Sequence, residues 1–234
     1  MGQEEAREEL LTIAHSRLYP SITNHSFLVL RRRRLIFSEW IRHLPSENLC
    51  VLDVGGRYQP YRPLVAERVK QYVAVDVLQT PFVDVIGKGQ QLPFRHSTFD
   101  LVIATGVFEY FSEPRVAADE IYRVLKPGGR LMMSVAAICP RAVDEEHWHY
   151  LPAGLRFALS SFSTVEIVPE VTSLGGFFRF TAWSLNVFAK YNLVRQLVNH
   201  TVVPILNLTG MGLEGVKLTD NDQITGNYSV LALR

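Results

Sequence analysis

The sequence predicts an α/β fold in which helices cover both faces of a mostly parallel sheet. Short apolar runs alternate with stretches of helical periodicity through the middle of the chain. The first of these runs, residues 49–54, stops at a glycine pair, as a buried strand does when it enters a turn. Strands that alternate with helices form parallel sheets, and 234 residues are enough for one such domain with a well-buried core.

The elements follow in order along the chain. Two N-terminal helices are predicted, over residues 4–17 and 26–44. The second has an apolar stripe made of Leu30, Phe37, Ile41 and Leu44. The central region predicts strands at 49–54, 72–77, 83–86, 99–105 and 130–135, and helices at 63–70 and 114–125. Beyond residue 140 the pattern predicts a helix at 152–161, a strand at 164–169, a long apolar helix or helix pair at 178–200 and a strand at 227–233.

Composition excludes several classes of protein. Apolar residues make up 47% of the chain and charged residues 20%, as in ordinary globular proteins. The net charge of +1 gives no electrostatic reason to expect a nucleic-acid partner. Two cysteines, Cys50 and Cys139, are too few for a disulfide framework or a structural zinc site. Both lie in or beside apolar runs, which indicates small buried side chains in a reducing compartment.

Cellular location is predicted from the absence of targeting signals. The first ten residues are acidic, whereas a signal peptide begins basic and continues apolar. No apolar run reaches the length of about eighteen residues that a membrane span needs. The sequence therefore predicts a cytoplasmic protein.

A set of ordered features is typical of an adenosine site. Asp53 and the glycines Gly55 and Gly56 end the first strand, where open α/β sheets bind their ligands. Asp76 closes the next strand, about twenty residues later, where a carboxylate can accept hydrogen bonds from ribose hydroxyls. Residues 90–94 then form a loop ahead of the fourth strand. Each feature alone is typical of plain turns and caps, but their order and spacing together predict a nucleotide-like ligand.

The stretch from residue 51 to 135 resembles class I S-adenosylmethionine-dependent methyltransferases of the ubiquinone/menaquinone-methylase-like type. The segments that carry this resemblance are Leu92–Phe94, Ser97–Val102 and Arg123–Gly129. The resemblance implies a Rossmann-like, seven-stranded, mostly parallel sheet with an antiparallel C-terminal strand. It also implies S-adenosylmethionine as the cofactor. The single domain, 1–234, would comprise a helical cap (1–45), a cofactor-binding half (46–140) and an acceptor-side half with a helical cover (141–234).

Site positions follow from the same resemblance. The turn after the first strand would surround the methionine moiety, Asp76 would hold the ribose, and Val77 would pack on the adenine. The implied cofactor-binding residues are Asp53, Gly55, Gly56, Arg57, Asp76, Val77, Gly89, Gln90, Ala104 and Thr105.

The chain departs from the family pattern at several places. Arg57 stands at a position that is usually glycine, and Lys88 stands where an acid usually meets the adenine. A cation at position 57 is unfavourable beside a sulfonium, unless its guanidinium turns away or pairs with a carboxylate. These departures favour one alternative, a non-catalytic methyltransferase-like module that acts through a partner. A nicotinamide-dependent oxidoreductase is disfavoured, because residues 55–59 lack the three-glycine spacing for a pyrophosphate.

Candidate catalytic residues follow the fourth and fifth strands. Tyr110, beside Glu109, follows the fourth, and His147 and His149 follow the fifth. The aromatic segment 145–155 resembles one in methyltransferases of polysaccharide and glycolipid biosynthesis. It implies a small or lipid-linked acceptor, with a saccharide hydroxyl as one candidate. No third ligand accompanies the histidines, so no metal is expected.

Two further segments leave alternatives open. The run Arg31–Arg34 is either a solvated helix face or a contact for substrate phosphates or an anionic membrane surface. Residues 177–211 are rich in large apolar side chains. They form either a helical cover over the acceptor cleft, a homodimer interface, or a pocket for an acyl or polyprenyl chain.

Overall fold

A sheet of seven strands forms the centre of the described part of the chain, which comprises residues 3–44, 47–141, 143–216 and 221–234 of a computed structural model. The strands are β1 (Leu49–Val54), β2 (Val69–Asp76), β3 (Val85–Ile86), β4 (Phe99–Thr105), β5 (Leu125–Ala136), β6 (Thr164–Pro169) and β7 (Asn227–Leu233). The helices are α1 (Gln3–Leu18), α2 (Phe27–Arg42), α3 (Arg62–Val65), α4 (Pro114–Val124), α5 (Pro152–Ala158), α6 (Ser173–Phe188) and α7 (Asn192–Val216).

The order of strands across the sheet is β3-β2-β1-β4-β5-β7-β6. Strands β1 to β5 pair in parallel, whereas β7 is antiparallel to both β5 and β6. The predicted fold class, a mostly parallel seven-stranded sheet with an antiparallel C-terminal strand, is confirmed. Because the strand order reverses between β1 and β4, a crevice opens at the carboxyl ends of these strands.

Both faces of the sheet are covered, as parallel strands require. On one face, Leu52 and Val102 pack with Ile121 of α4. On the other, Val51 and Leu101 pack with Phe37 of α2. Alternate residues of one strand therefore belong to two separate cores, which explains why the strands are apolar throughout. Helices α6 and α7 pack against each other and against α2.

Some predicted boundaries are wrong. The helix predicted over 63–70 ends at Val65, and β2 already begins at Val69, which pairs with Leu49 of β1. The apolar stretch 178–200 is a pair of helices, one of the two predicted alternatives, but the first begins at Ser173 and the second continues to Val216. No helix in the described ranges is both long enough and apolar enough to cross a bilayer.

Candidate cofactor and acceptor site

A cleft of about 270 Å³ opens at the carboxyl ends of β1, β2 and β4. Its wall includes six of the predicted cofactor-binding positions: Gly55, Arg57, Asp76, Val77, Gly89 and Gln90. Lys88 and two of the predicted catalytic residues, Tyr110 and His147, line the same cleft. The structure thus brings together residues from distant parts of the sequence in one concave surface.

Two glycines in the cleft wall are required by the local packing. Gly55 has a φ of +77°, a backbone conformation that favours glycine, and a Cβ there would lie 2.8 Å from Val107 Cγ2. A Cβ on Gly89 would overlap the ring of Phe111. Because both positions lack a side chain, Val107 and Phe111 pack directly on the backbone and form part of the same wall.

The most informative polar group in the cleft is the carboxylate of Asp76, which is only 4% exposed. Its Oδ1 accepts a hydrogen bond from the backbone N–H of Leu78 at 3.0 Å. Its Oδ2 is buried and has no hydrogen-bond partner among the described residues. Buried polar atoms are nearly always hydrogen-bonded. This oxygen is therefore suited to accept a hydrogen bond from a ribose hydroxyl. The residues present fit an adenosine cofactor.

Arg57 turns toward that carboxylate. Its Nε lies 3.3 Å from Asp76 Oδ2, and its side chain is about one-third exposed. The guanidinium thus has the carboxylate partner that a cation at this position needs. It also competes for the oxygen that a ribose would use.

The remaining predicted cofactor residues do not line this cleft. Asp53 is buried and accepts a hydrogen bond from Tyr72 Oη at 2.6 Å, because Tyr72 is its diagonal neighbour on β2. Burial raises the pKa of Asp53 to about 7. Ala104 lies in the core and Thr105 is half-buried at the end of β4. Gly56 packs against Ala74, whose Cβ would be 2.9 Å from a Cβ at position 56.

The three candidate catalytic residues differ in their surroundings. Burial raises the pKa of Tyr110, and the nearby Glu146 raises it further, so this phenol is a hydrogen-bond donor at neutral pH. His147 is exposed, and its backbone N–H donates to the carbonyl of Glu109 at 2.8 Å. His149 lies away from the cleft, with its Nε2 3.7 Å from Glu146 Oε2 and 3.8 Å from Cys139 Sγ. No group of three ligands for a metal occurs in the described part of the chain.

Glu109 is more deeply buried than its position in the sequence suggested. Its Oε1 accepts a hydrogen bond from the backbone N–H of Ala136 at 2.5 Å, and its Oε2 has no partner among the described residues. Burial raises the pKa of this carboxyl from 4.5 to about 7. The sequence marked Glu109 as an acid after the fourth strand, but no sequence signal indicated that it is buried.

The raised pKa of Glu109 predicts a pH-dependent stability. The folded state binds this proton more tightly than the unfolded state does. Protonation of Glu109 therefore stabilises the fold fully below about pH 4.5, and this stabilisation is lost as pH rises through about 7. We expect Glu109→Gln to match the wild type near pH 4 and to exceed its free energy of unfolding by on the order of 3 kcal/mol at pH 8. Urea unfolding at both pH values measures this difference. An equal difference at the two pH values would contradict the assignment, and Asp53→Asn serves as a second test, since burial also raises the pKa of Asp53.

The run Arg31–Arg34 does not form one basic surface. Successive residues of a helix point about 100° apart, so four in a row cannot share a face. Arg33 turns inward and makes an ion pair with the fully buried Glu170, with Nε 2.8 Å from Oε1. The guanidinium of Arg34 lies 4.8 Å from the ring centre of Tyr19, and Arg32 remains exposed. The expectation of a single solvated or phosphate-binding face is therefore wrong for Arg33.

Arg179 of α6 is a second buried arginine that the sequence did not single out. It is 3% exposed, and its guanidinium lies 4.4 Å from the ring centre of Trp183. Its Nε and Nη1 have no hydrogen-bond acceptor among the described residues. It lies above Gly226, at the end of the sheet where β7 begins.

Part of the chain that forms this cleft is similar to known methyltransferases. Residues 52–133 match a family described as a methyltransferase domain. Demethylmenaquinone methyltransferase of Streptomyces griseus is 43% identical over 86 residues, which cover 37% of this chain and 29% of that protein. The chloroplastic 2-methyl-6-phytyl-1,4-hydroquinone methyltransferase 1 of Oryza sativa is 32% identical over 89 residues, which cover 38% of this chain and 24% of that protein. The chain thus spans less than half the length of these curated relatives.

Solved structures show the same fold at low sequence identity. A SAM-dependent methyltransferase from Archaeoglobus fulgidus has a TM-score of 0.52 and 16% identity, covering 86% of this chain and 94% of that one. The cyclase SpnF has a TM-score of 0.52 and 19% identity, covering 85% of this chain and 80% of that one. Residues 52–133 thus match the methyltransferase domain family, and the described chain has the Rossmann-like fold of S-adenosylmethionine-dependent methyltransferases.

Proposed function

We propose that this protein is an S-adenosylmethionine-dependent methyltransferase that acts on a small or lipid-linked acceptor. The observation that carries the proposal is the buried Oδ2 of Asp76, which lies in the cleft wall within the segment that matches the methyltransferase family. This oxygen accepts no hydrogen bond from the described residues, and its charge partner is Arg57. The relatives named above, which are quinone methyltransferases by name, support an acceptor of small-molecule size. The fold alone does not decide the reaction, since a cyclase shares it.

The residues of the cleft divide the work of holding the cofactor. Asp76 accepts hydrogen bonds from the ribose hydroxyls, Val77 packs on the adenine, and Gln90 meets its polar edge. Gly55 and Gly89 let Val107 and Phe111 pack on the backbone that borders the cofactor. In this proposal the other implied residues do not contact the cofactor but support the residues that do. They shape the turn after β1 (Asp53 and Gly56) and the floor of the site at the end of β4 (Ala104 and Thr105). When bound, the cofactor supplies a methyl group on a positively charged sulfur, which is already a good leaving group.

Catalysis then consists mainly of aligning the acceptor, because an in-line displacement with a good leaving group needs little else. Tyr110 and His147 border the cleft and can contact the acceptor. If the acceptor is a saccharide hydroxyl, His147 can accept its proton, and Tyr110 donates a hydrogen bond to an acceptor oxygen. His149 is a positioning residue in this scheme, since it contacts Glu146 rather than the cleft.

Binding and turnover require separate experiments. Calorimetric titration with S-adenosylhomocysteine tests the cofactor site, and no detectable heat at millimolar ligand would remove the proposal. Transfer of a labelled methyl group to quinol, acyl-carrier and lipid-linked saccharide acceptors tests the reaction. Binding without transfer to any acceptor would favour the second candidate, a non-catalytic module, which the pairing of Arg57 with Asp76 also supports.

Arg57 provides a specific prediction about charge. We expect Arg57→Gln to raise affinity for S-adenosylmethionine about tenfold, because it removes a cation near the sulfonium and frees Asp76. Affinity for the neutral S-adenosylhomocysteine should rise by only about threefold, since only the freed carboxylate matters there. Calorimetry with both ligands measures the two changes. Arg95→Gln, which removes an equal charge from an exposed loop, is the matched control and should change neither.

Two results would contradict the predicted role of Arg57. If both affinities rise by the same factor, Arg57 does not act on the sulfonium charge. If both fall, Arg57 helps to hold the ligand, and its pairing with Asp76 is not competitive.

A further inference from the structure

The outer surface of the α6–α7 hairpin is rich in large apolar side chains. These hydrocarbon and aromatic groups face solvent, beside exposed polar residues such as Gln196, His200 and Thr201. Phe188 is 81% exposed and Leu193 is 78% exposed, which are high values for such residues. We call the following set the α6–α7 apolar face: Phe177, Phe180, Phe188, Leu193, Leu197 and Ile205.

Some polar side chains of the two helices are buried instead, namely Arg179, Asn186 and Asn207. Asn207 of α7 is fully buried, and its Nδ2 donates to the carbonyls of Ile22 and Asn24 at 2.7 and 2.9 Å. Arg179 of α6 is buried against Trp183. A surface helix of a protein surrounded by water has the opposite arrangement, with polar groups outside and apolar groups inside. The hairpin is therefore built for an apolar neighbour.

Charge indicates the nature of that neighbour. Residues 171–213 contain no aspartate or glutamate, whereas Lys190 lies between the two helices and Arg195 lies in the first turn of α7. Both cations are exposed and stand next to Phe188 and Leu193. Aromatic and aliphatic side chains next to cations are typical of segments that lie in the interface of an anionic membrane.

We infer that the α6–α7 hairpin docks on the surface of a membrane that contains anionic lipids. The apolar face enters the boundary between headgroups and acyl chains, and Lys190 and Arg195 contact the headgroups. Docking is interfacial, since neither helix can span the bilayer. A second copy of the chain is a poorer occupant, because a two-fold contact between identical hairpins would bring together cations with no acidic partner within residues 171–213. The inference does not depend on the proposed methyl transfer.

Vesicle sedimentation tests this inference with the whole chain. We expect the protein to sediment with vesicles of phosphatidylcholine and phosphatidylglycerol in equal amounts, and less with phosphatidylcholine alone. Leu193→Asp and Ile205→Asp should each weaken the partition coefficient about tenfold. Val116→Asp is the matched control, since Val116 is an exposed apolar residue of α4, on the opposite face of the sheet from α2, and should change nothing. Lys190→Glu should reduce sedimentation with the anionic vesicles only.

Several results would overturn the inference. These are an absence of sedimentation with either vesicle, or sedimentation that both aspartate variants retain. Light scattering on the same samples would assign the face to a second copy if it finds a dimer that Leu193→Asp dissociates. Circular dichroism confirms that each variant is folded. Titration with S-adenosylhomocysteine separately tests the cofactor site, so failure of one proposal is distinguishable from failure of the other.

Discussion

Replacing Glu170 with alanine is expected to lower the free energy of unfolding by about 3–5 kcal/mol. Glu170 has no exposed surface, and its carboxylate accepts hydrogen bonds from both Nε and Nη2 of Arg33, at 2.8 and 3.0 Å. Ser134 Oγ of β5 and Ser229 Oγ of β7 donate to the same carboxylate, at 2.6 and 2.9 Å. Removing it would leave an uncompensated guanidinium and two unsatisfied hydroxyls inside the protein.

Urea unfolding at neutral pH measures this loss. Glu166→Ala is the matched control, because Glu166 is an exposed residue of the neighbouring strand β6, and it should change stability by less than about 0.5 kcal/mol. The double substitution Arg33→Met with Glu170→Leu should recover most of the loss, since it removes both buried charges. A loss below about 1 kcal/mol for Glu170→Ala would mean that water compensates Arg33.

Asp76→Ala is expected to weaken binding of S-adenosylhomocysteine by at least about 100-fold. On the proposed function, this substitution removes two hydrogen bonds from ribose hydroxyls to a charged group, each worth about 1.5–3 kcal/mol. The buried position of the carboxylate makes these bonds stronger than exposed ones, because water competes little for it. Calorimetric titration measures the change in dissociation constant.

The control for this substitution is Asp119→Ala, an exposed acid of α4 that should leave binding unchanged. Repeating Asp76→Ala in the Arg57→Gln background separates the direct effect from the release of Arg57, which otherwise loses its partner. A change of less than twofold in both backgrounds would contradict the role of Asp76 as the ribose anchor.

Local patterns predicted much of the fold and part of the candidate site. Apolar runs, and the glycines and polar residues that end them, predicted strand β4, the glycine turn after β1 and the position of Asp76 at the end of β2. The start of β5 did not, because Lys126, Pro127 and two glycines interrupt the apolar run after Leu125, which already pairs with Phe99. Pairing between strands depends on the partner strand, which no local window contains.

Contacts between distant residues account for what the sequence could not predict. Arg33 and Glu170 are separated by 137 positions in the sequence. The basic run on α2 therefore predicted an exposed surface, although Arg33, its third residue, forms an ion pair in the interior. The sequence indicated two separate features, a basic run on α2 that could contact a membrane and an apolar stretch over residues 177–211. The structure shows that α6 and α7 expose large apolar residues, whereas Asn207 of α7 is buried and donates hydrogen bonds to the segment before α2.

The pairing of Arg57 with Asp76 has a consequence for turnover. On the proposed function, methyl transfer would convert a cationic cofactor into a neutral product, and the Arg57 guanidinium would disfavour binding of the first more than binding of the second. The site would therefore retain its spent product in preference to fresh cofactor. If the protein has the proposed activity, we expect strong product inhibition. Initial rates would then fall early unless a coupled hydrolase removes S-adenosylhomocysteine, and the ratio of the two nucleosides would govern turnover.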